Sequence, residues 1–586
     1  MHADLKPTLM QKFFAFRVIL FLVALAWLLL APAATAGTVT VSKTPPGVTS
    51  KVAPNIVVTF DDSGSMNATA IPDSMDANYA KKYYYSAQGN PIYFDPNTTY
   101  AVPPDASGAP LGTPTFKAAW RDGYCANTLT KKCWSPANSK YLDPIVVDLS
   151  KAFYAGFLAN IQAGNAPCSR NANELTTWYV SGSSCPQMDI PASVRGSTST
   201  STTTNCVVLC APFIGVTGTR TVNNDDGSVS VWTCTTNVLV LTNCTIVTTV
   251  TTADPGGFYY VCTSPAVEST CTYHLVANES AAIQQNFAIW YSYYRSRNLN
   301  ARAAVGRVFS SLGDGSVRVA WQTLQAQTPS GSYNTAAGSY AGLAYGPLVA
   351  TSKILELANG TTCLPTSTSD TCWRSQFMNW VYGAPASGST PTRVATETAG
   401  DFYKRNLTNS PNALDPYWNG STSAPGELTC RKNFNMLVTD GYWNGDKPTK
   451  VTPNDAVALT LPDGTSYALS DTTSKVFWNE SGTTDPSLAD IAFSYWANDL
   501  RPDLANNVPA YYSDLTTGIT APSATVSSTT PGTNKEVYFN PSNDPATWQH
   551  MSQYMVTMGI SGSLSYPADY TALRNGSKAW PTPDTG

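Results

Sequence analysis

Asn55–Phe60 reads NIVVTF, a short apolar, β-branched run of the kind that forms a strand buried on both faces. It ends abruptly in the polar turn DDSGSM. Helical spacing takes over near Ala281, where Ile283, Phe287, Trp290 and Tyr294 recur every three or four positions along one apolar stripe. Ala301, Val305 and Val308 continue that stripe. Further on, VRVAWQTL predicts a strand over 317–324, Pro391 to Asn406 a helix, and NFNMLV a second buried strand over 433–438. Asp485 and Pro486 supply a cap and a first-turn proline for a helix carrying Leu488, Ile491, Tyr495 and Trp496, which Pro502 would end near Arg501. YMVTMGI predicts a last strand over 554–560. Strands alternating with amphipathic helices imply an α/β fold with a doubly wound, mainly parallel sheet.

Residues 80–280 break this rhythm. They are rich in Tyr, Pro, Ser and Thr, hold ten of the chain's 13 cysteines and include the Ser/Thr tract Ser197 to Thr204. Alternating stretches such as SVSVWTCTTNVLVLTNCTIVTTV read as strands or hairpins. The segment reads as a disulfide-stapled insertion, weakly ordered in its Ser/Thr parts, between a first strand and turn at 55–79 and the remainder of the α/β unit at 281–586. Local pairing is expected for Cys125/Cys133, Cys168/Cys185, Cys206/Cys210, Cys234/Cys244, Cys262/Cys271 and Cys363/Cys372. Cys430 is left over, either as a buried free thiol or as a partner for the insertion or a missing segment. Tyr83 to Tyr85 are either a sticky exposed patch or packing beneath the insertion.

The N-terminus supplies the compartment. Lys6, Lys12 and Arg17 precede an apolar run from Val18 to Leu30 and an Ala34-Thr35-Ala36 cleavage signal, so 1–36 reads as a signal peptide and 37–54 as a linker. The apolar run is short for a span of about 20 residues, although an uncleaved anchor is the alternative. No later stretch reaches spanning length, so no integral membrane span is expected after cleavage. Export suits the cysteine content, because paired thiols persist in oxidising compartments. Only 13% of the residues are charged, against about 25% in an ordinary soluble domain. A net charge of -4 gives no electrostatic drive toward nucleic acid.

The candidate chemistry sits where the first strand ends. Asp61, Ser63 and Ser65 fit D-x-S-x-S, a turn that directs a carboxylate and two hydroxyls into the crevice beyond a strand's carboxyl end, the edge at which open α/β sheets bind ligands. Asp440 follows another predicted parallel strand and would share that rim. Two acids with neutral hydroxyls are hard oxygen donors suited to Mg²⁺ or Mn²⁺, and incomplete neutralisation would leave the metal able to take a partner's carboxylate. Asp62 is expected to face solvent or to support the site from behind. Catalysis is not expected. His2 lies in the leader, leaving only His274 and His550, and the chain has no G-x-S-x-G, H-E-x-x-H or phosphate-loop motif.

This constellation resembles the metal-ion-dependent adhesion site of von Willebrand factor type A domains. There, the resemblance implies, a Thr in a Gly-rich loop and an Asp after a later strand join the first turn; GSTPT supplies Thr390 and LVTDG supplies Asp440. The implied ligand set is Asp61, Ser63, Ser65, Thr390 and Asp440. The phrases YFDPNTTY, QQNFAIWYSYYRSR, VRVAWQTL, GSTPTR, LADIAFSYWANDLRPDL and DPATWQHMSQYMVTMGI, in this order, resemble the N-terminal half of PilY-type type IV pilus tip adhesins. That resemblance implies pilus biogenesis with minor pilins or other tip components, attachment to a host or abiotic surface, and a route through the periplasm to the pilus tip. It also implies a C-terminal β-propeller with a calcium loop. No calcium loop is recognised here, since NNDDGSVS lacks the required spacing and terminal acid; the expectation is a fragment lacking the propeller and the last helix and strand of the type A unit. The alternative function is a structural or force-responsive assembly factor in which metal only stabilises the fold.

Overall fold

The computed structural model describes residues 52–78, 81–120, 146–150, 257–325, 345–363, 369–386, 388–441, 443–445, 447–451, 485–511 and 543–560. It also describes shorter stretches up to 578 and the backbone of several strands between 133 and 251. Contacts divide the chain into units 1–46 and 47–586, and every described residue belongs to the second. The leader, Cys125, Cys185, Cys210 and the side chains of Cys133, Cys168, Cys206, Cys234 and Cys244 lie outside the described residues.

In chain order the α/β unit runs β1 (Asn55–Phe60), a hairpin of β2 (Phe258–Cys262) and β3 (Cys271–Leu275), then helices α1 (Ala281–Tyr293) and α2 (Arg297–Ser311). It continues with β4 (Arg318–Thr323), β5 (Leu355–Glu356), α3 (Trp373–Gly383), α4 (Thr392–Tyr403), β6 (Asn433–Thr439), α5 (Leu488–Ala497) and β7 (Met551–Thr557). Five strands form one sheet in the order β5-β4-β1-β6-β7. Both neighbours of β1 run parallel to it, β7 is parallel to β6, and only the two-residue β5 is antiparallel.

Alternation along β1 decides what covers each face. Val58 and Phe60 enter a core with Ala301, Val305 and Phe309 of α2 and Phe377, Trp380 and Val381 of α3. Val57 enters the opposite core, with Ala399, Phe402 and Tyr403 of α4 and Ile491 and Tyr495 of α5. Helices therefore cover both faces, which is why β1 carries apolar residues on each side. A buried polar row crosses the second face: Gln322 donates to Thr59 (2.9 Å), Thr59 to Asn435 (2.8 Å) and Asn435 to Gln553 (2.9 Å), spanning four adjacent strands. Slipping one strand by a residue would turn its member of this row to the other face and strand buried amides without partners.

Several expectations shift. The apolar stripe is two helices, each capped by its own serine: Ser280 accepts from the Ile283 amide and Ser296 from the Leu299 amide. Val308 is exposed, and Phe309 takes the core position. Helix α5 is capped by Ser487 in a reciprocal box with Asp490, not by Asp485, and it stops at Ala497, short of Pro502. Helix α3, absent from the sequence reading, fills the mixed region. Strand β7 starts and ends three residues earlier than expected, and Gly559, at φ 92°, turns the chain out of the extended run just beyond it.

Within residues 80–280, the Ser/Thr tract is a strand, Thr198–Cys206, in a four-stranded antiparallel sheet with Cys244–Thr251, Val229–Cys234 and Gly218–Asn223. Threonine's branched side chain favours extended backbone, which suits the tract to a strand. Tyr84, Tyr85, Tyr93 and Phe94 pack with Phe258 to Tyr260 and with Phe287 and Trp290 of α1. Cys262 bonds Cys271 across the β2–β3 hairpin, Cys363 bonds Cys372, and Cys430 is free and half-buried. His274 stacks on Tyr259 and pairs with Glu279 (3.0 Å). Buried His550 pairs with Asp544 (3.1 Å), whose carboxyl burial would push up but the imidazole holds down at about 2.

Gly400 makes the packing on the second face testable. Alanine would favour the helix by roughly 1 kcal/mol, but a Cβ there meets the Tyr495 ring at 2.3 Å. Tyr495 is buried and its hydroxyl is held by Asp401 at 2.8 Å, so the ring has nowhere to go. Gly400→Ala is expected to lose about 1–3 kcal/mol in urea unfolding, the cost of overpacking. Unchanged or increased stability would mean that α4 and α5 are not in close contact.

Candidate metal centre

Parallel strands β1 and β6 run out at one edge of the sheet. The Asp61 amide donates to the Val438 carbonyl (2.8 Å), so the turn begins while still attached to β6. The two adjacent aspartates then brace the turn in opposite directions. Asp61 Oδ1 accepts from the Ser63 amide (2.8 Å), and its Oδ2 accepts from the Thr439 hydroxyl (2.5 Å) at the end of β6. Asp62 Oδ1 accepts from the amides of Leu324 (3.0 Å) and Gln325 (3.2 Å) beyond β4. Asp62 is fully buried and supports the turn from behind, the second of its two expected positions.

Ser63, Ser65 and Asp440 form a directional chain. Ser65 Oγ donates to Asp440 Oδ1 at 2.9 Å across 375 positions of sequence. With its one proton so used, Ser65 accepts from Ser63 Oγ, also at 2.9 Å. Asp61, Ser63 and Asp440 are buried, while Ser65 is exposed and opens the cluster to solvent. Thr390 is buried on the neighbouring loop, which touches the turn where the Gly64 amide donates to the Gly388 carbonyl (3.1 Å). Gly388 has φ 107°, and a Cβ there would meet Gln325 Oε1 at 2.7 Å, so glycine is required. The Thr390 amide donates to Asn444 Oδ1 (2.7 Å) and its carbonyl accepts from the Asn444 amide (3.0 Å), clipping this loop to the one that follows Asp440. The Thr390 hydroxyl makes no hydrogen bond to the other four residues. Four of the five candidates thus share one hydrogen-bonded cluster, and Thr390 is carried to the same rim by its backbone.

Sequence reasoning missed Arg297. This first residue of α2 is buried and donates from Nη1 to Asp440 Oδ2 (2.8 Å) and from Nε to the Ala70 carbonyl (2.9 Å). Thr439 and Asn444 were missed too. Thr439 had a signal, as a hydroxyl at the end of the strand that delivers Asp440; Arg297 had none.

Burial pushes the Asp61 carboxyl up to about 6, helped by the charge of Asp440 and opposed by hydrogen bonds from Ser63 and Thr439. Burial also raises Asp440, opposed by Arg297 and Ser65. Both acids are short of positive charge. The donors are all oxygens, and among the described residues no group of three or more His, Cys, Asp or Glu is placed to hold a metal ion. Hydroxyl and carboxylate oxygens are the hard donors that Mg²⁺ or Mn²⁺ takes; the two 2.9 Å separations are those of hydrogen bonds between these donors.

The raised Asp61 carboxyl gives a signed pH effect. The unfolded chain releases this proton near pH 3.8 and the folded chain near 6. Across that interval the folded state binds more protons, so stability falls as pH rises. In chelator, Asp61→Asn should gain on the parent between pH 4 and 7 by up to roughly 3 kcal/mol. Denaturant titrations at the two pH values check this, and a constant difference would show that Asp61 ionises without penalty.

No protein-family model and no solved structure matches the chain. Three curated relatives, all titled "Type IV pilus biogenesis factor PilY1" and all from Pseudomonas aeruginosa, do. The chain is 28% identical to that of strain PAK over 584 residues, 29% to that of strain PAO1 over 573 and 26% to that of strain UCBPP-PA14 over 566. The matches cover 93–95% of the chain but only 35–37% of each relative. Along nearly all of its own length, then, the chain is similar to PilY-type proteins, and it spans a little over a third of the length of these relatives.

Proposed function

We propose that the α/β unit is a von Willebrand factor type A-like domain that binds Mg²⁺ or Mn²⁺ through Asp61, Ser63, Ser65, Thr390 and Asp440, and that it serves type IV pilus biogenesis and attachment. The observation that carries this reading is the Ser63–Ser65–Asp440 chain at 2.9 Å spacing beside two carboxylates raised by burial. The relatives' titles support the pilus role. Asp440 and the two serines would hold the ion, with the Asp61 carboxylate and the Thr390 hydroxyl completing the oxygen set. A bound divalent cation would supply a Lewis-acidic position for a carboxylate of a partner. The partners are minor pilins or other tip components, or a host or surface ligand. The leader would take the protein through the periplasm to the pilus tip. Among the described residues no helix is long and apolar enough to cross a membrane.

One observation favours a second reading, in which metal only stabilises the rim: Arg297 already neutralises part of Asp440. Thermal unfolding of residues 37–586 with and without Mg²⁺ or Mn²⁺, beside Asp61→Ala and Asp440→Ala, tests the site. At about 100 times the dissociation constant, metal should stabilise the parent by roughly 2.7 kcal/mol and neither variant. No shift in the parent would remove the metal mechanism. A shift that both variants lack, with piliation and adhesion intact in cells carrying them, would favour the stabilising reading.

A further inference from the structure

Arg297 does not face Asp440 alone. Its Nη2 lies 2.7 Å from Asp73 Oδ1, while Nη1 lies 2.8 Å from Asp440 Oδ2, so one guanidinium is shared between two carboxylates. Arg297 and Asp440 are 2% and 0% exposed, whereas Asp73 is 45% exposed. The arrangement is closely fitted on its open side. The Asp73 amide faces the Gly559 carbonyl (3.4 Å), and a Cβ on Gly559 would come within 2.9 Å of Asp73 Oδ1 and 3.4 Å of the guanidinium carbon. Asp73 lies outside D-x-S-x-S and outside every motif of the resemblance.

A buried cation bonded to one of two acidic ligands opposes the binding of a second cation. Asp61 and Asp440 carry two negative charges, and Arg297 alone would reduce that pair to one; Asp62 beside them is held by the Leu324 and Gln325 amides on the far side of the turn. Asp73 on the same guanidinium restores the two charges of the pair. The guanidinium carries its charge over both terminal nitrogens, so Nη1 donates a hydrogen bond to Asp440 while Nη2 makes an ion pair with Asp73. It also holds Asp440 Oδ2, leaving Oδ1 directed at Ser65.

We propose that Asp73 is a positioning residue of the rim site, the counter-ion that lets Arg297 orient Asp440 without lowering the site's affinity for a divalent cation. This inference rests on the metal-binding reading above. Calorimetric titration of the full chain with MgCl₂ and MnCl₂ alone tests it, in the parent, Asp73→Asn and Asp73→Glu. Asp73→Asn should weaken binding on the order of tenfold through the lost charge, with a melting temperature in chelator lowered by at most a few degrees, as for the loss of a half-exposed ion pair, and Asp73→Glu should bind within about threefold of the parent, with its charge retained. Adding Arg297→Gln to Asp73→Asn returns the count to two negative charges and should recover part of the lost affinity. Parent-like binding by Asp73→Asn overturns the inference while leaving the metal site standing. No binding by the parent overturns the metal-site reading and this inference with it. If Asp73→Asn melts lower than that in chelator and Asp73→Glu shares both defects, the residue is merely structural and the inference fails.

Discussion

Everything at the rim follows from β1 lying between two parallel neighbours. Parallel pairing sends β4, β1 and β6 out at one edge, so chain segments separated by hundreds of residues deliver their next side chains to one place. Antiparallel pairing of either neighbour would carry its following loop to the opposite end. The buried row Gln322–Thr59–Asn435–Gln553 reinforces this by making register costly to change. Asp61 and Asp62 then extend the pairing beyond the last rung, one bonded toward β6 and the other toward β4. The turn's shape is therefore set by the sheet, and the hydroxyls of Ser63 and Ser65 inherit their spacing from it.

The rim is also where the fold works against itself. Two carboxylates are buried side by side and both are raised, so their ionisation at neutral pH costs stability in the metal-free chain. Hydroxyl and amide donors compensate only partly, and the strongest compensation comes from a single guanidinium. Such local conflict is the usual mark of a site retained for binding. The His550–Asp544 pair is the opposite case. There burial is overcome by a direct partner, and further bonds from Trp496 and Ser552 complete the carboxylate, which gives a satisfied structural pair.

Much of this was legible in the sequence, for identifiable reasons. The strands expected at 55–60, 317–324 and 433–438 were visible through their short apolar or β-branched runs, although Thr59, Gln322 and Asn435 place a polar residue in each, and the D-x-S-x-S turn stood out against the run it ended. Helix ends were harder to read, since Ser487 and Asp490 cap α5 through a pair of side-chain bonds that Asp485-Pro486 mimics in sequence. Helix α3 was missed although Trp373, Phe377, Trp380 and Val381 fall at helical spacing; the segment is short, and Arg374 is buried there by bonding the Phe309, Leu312 and Leu357 carbonyls. Arg297 and Asp73 could not be read at all. Their roles depend on three chain segments meeting, and neither stands at a motif spacing.

The same pair explains how a long excursion between β1 and α1 can be borne beside a site that needs fixed geometry. Closing a long loop costs little more than closing a shorter one, about 0.6 kcal/mol for each doubling, so length is not the difficulty; a loose neck would be. The neck is fastened twice. Aromatic residues from its outgoing side, Tyr84, Tyr93 and Phe94, pack against Phe258 and Tyr259 on its return and against Trp290 of α1, while Trp290 donates to the Ile92 carbonyl and Tyr93 to the Phe258 carbonyl. Nearer the rim, Asp73 on the outgoing side meets Arg297 at the start of the second helix after the return. The ion pair therefore joins the two sides of the excursion at the point where one of them grips Asp440, which ties the order of the neck to the geometry of the site.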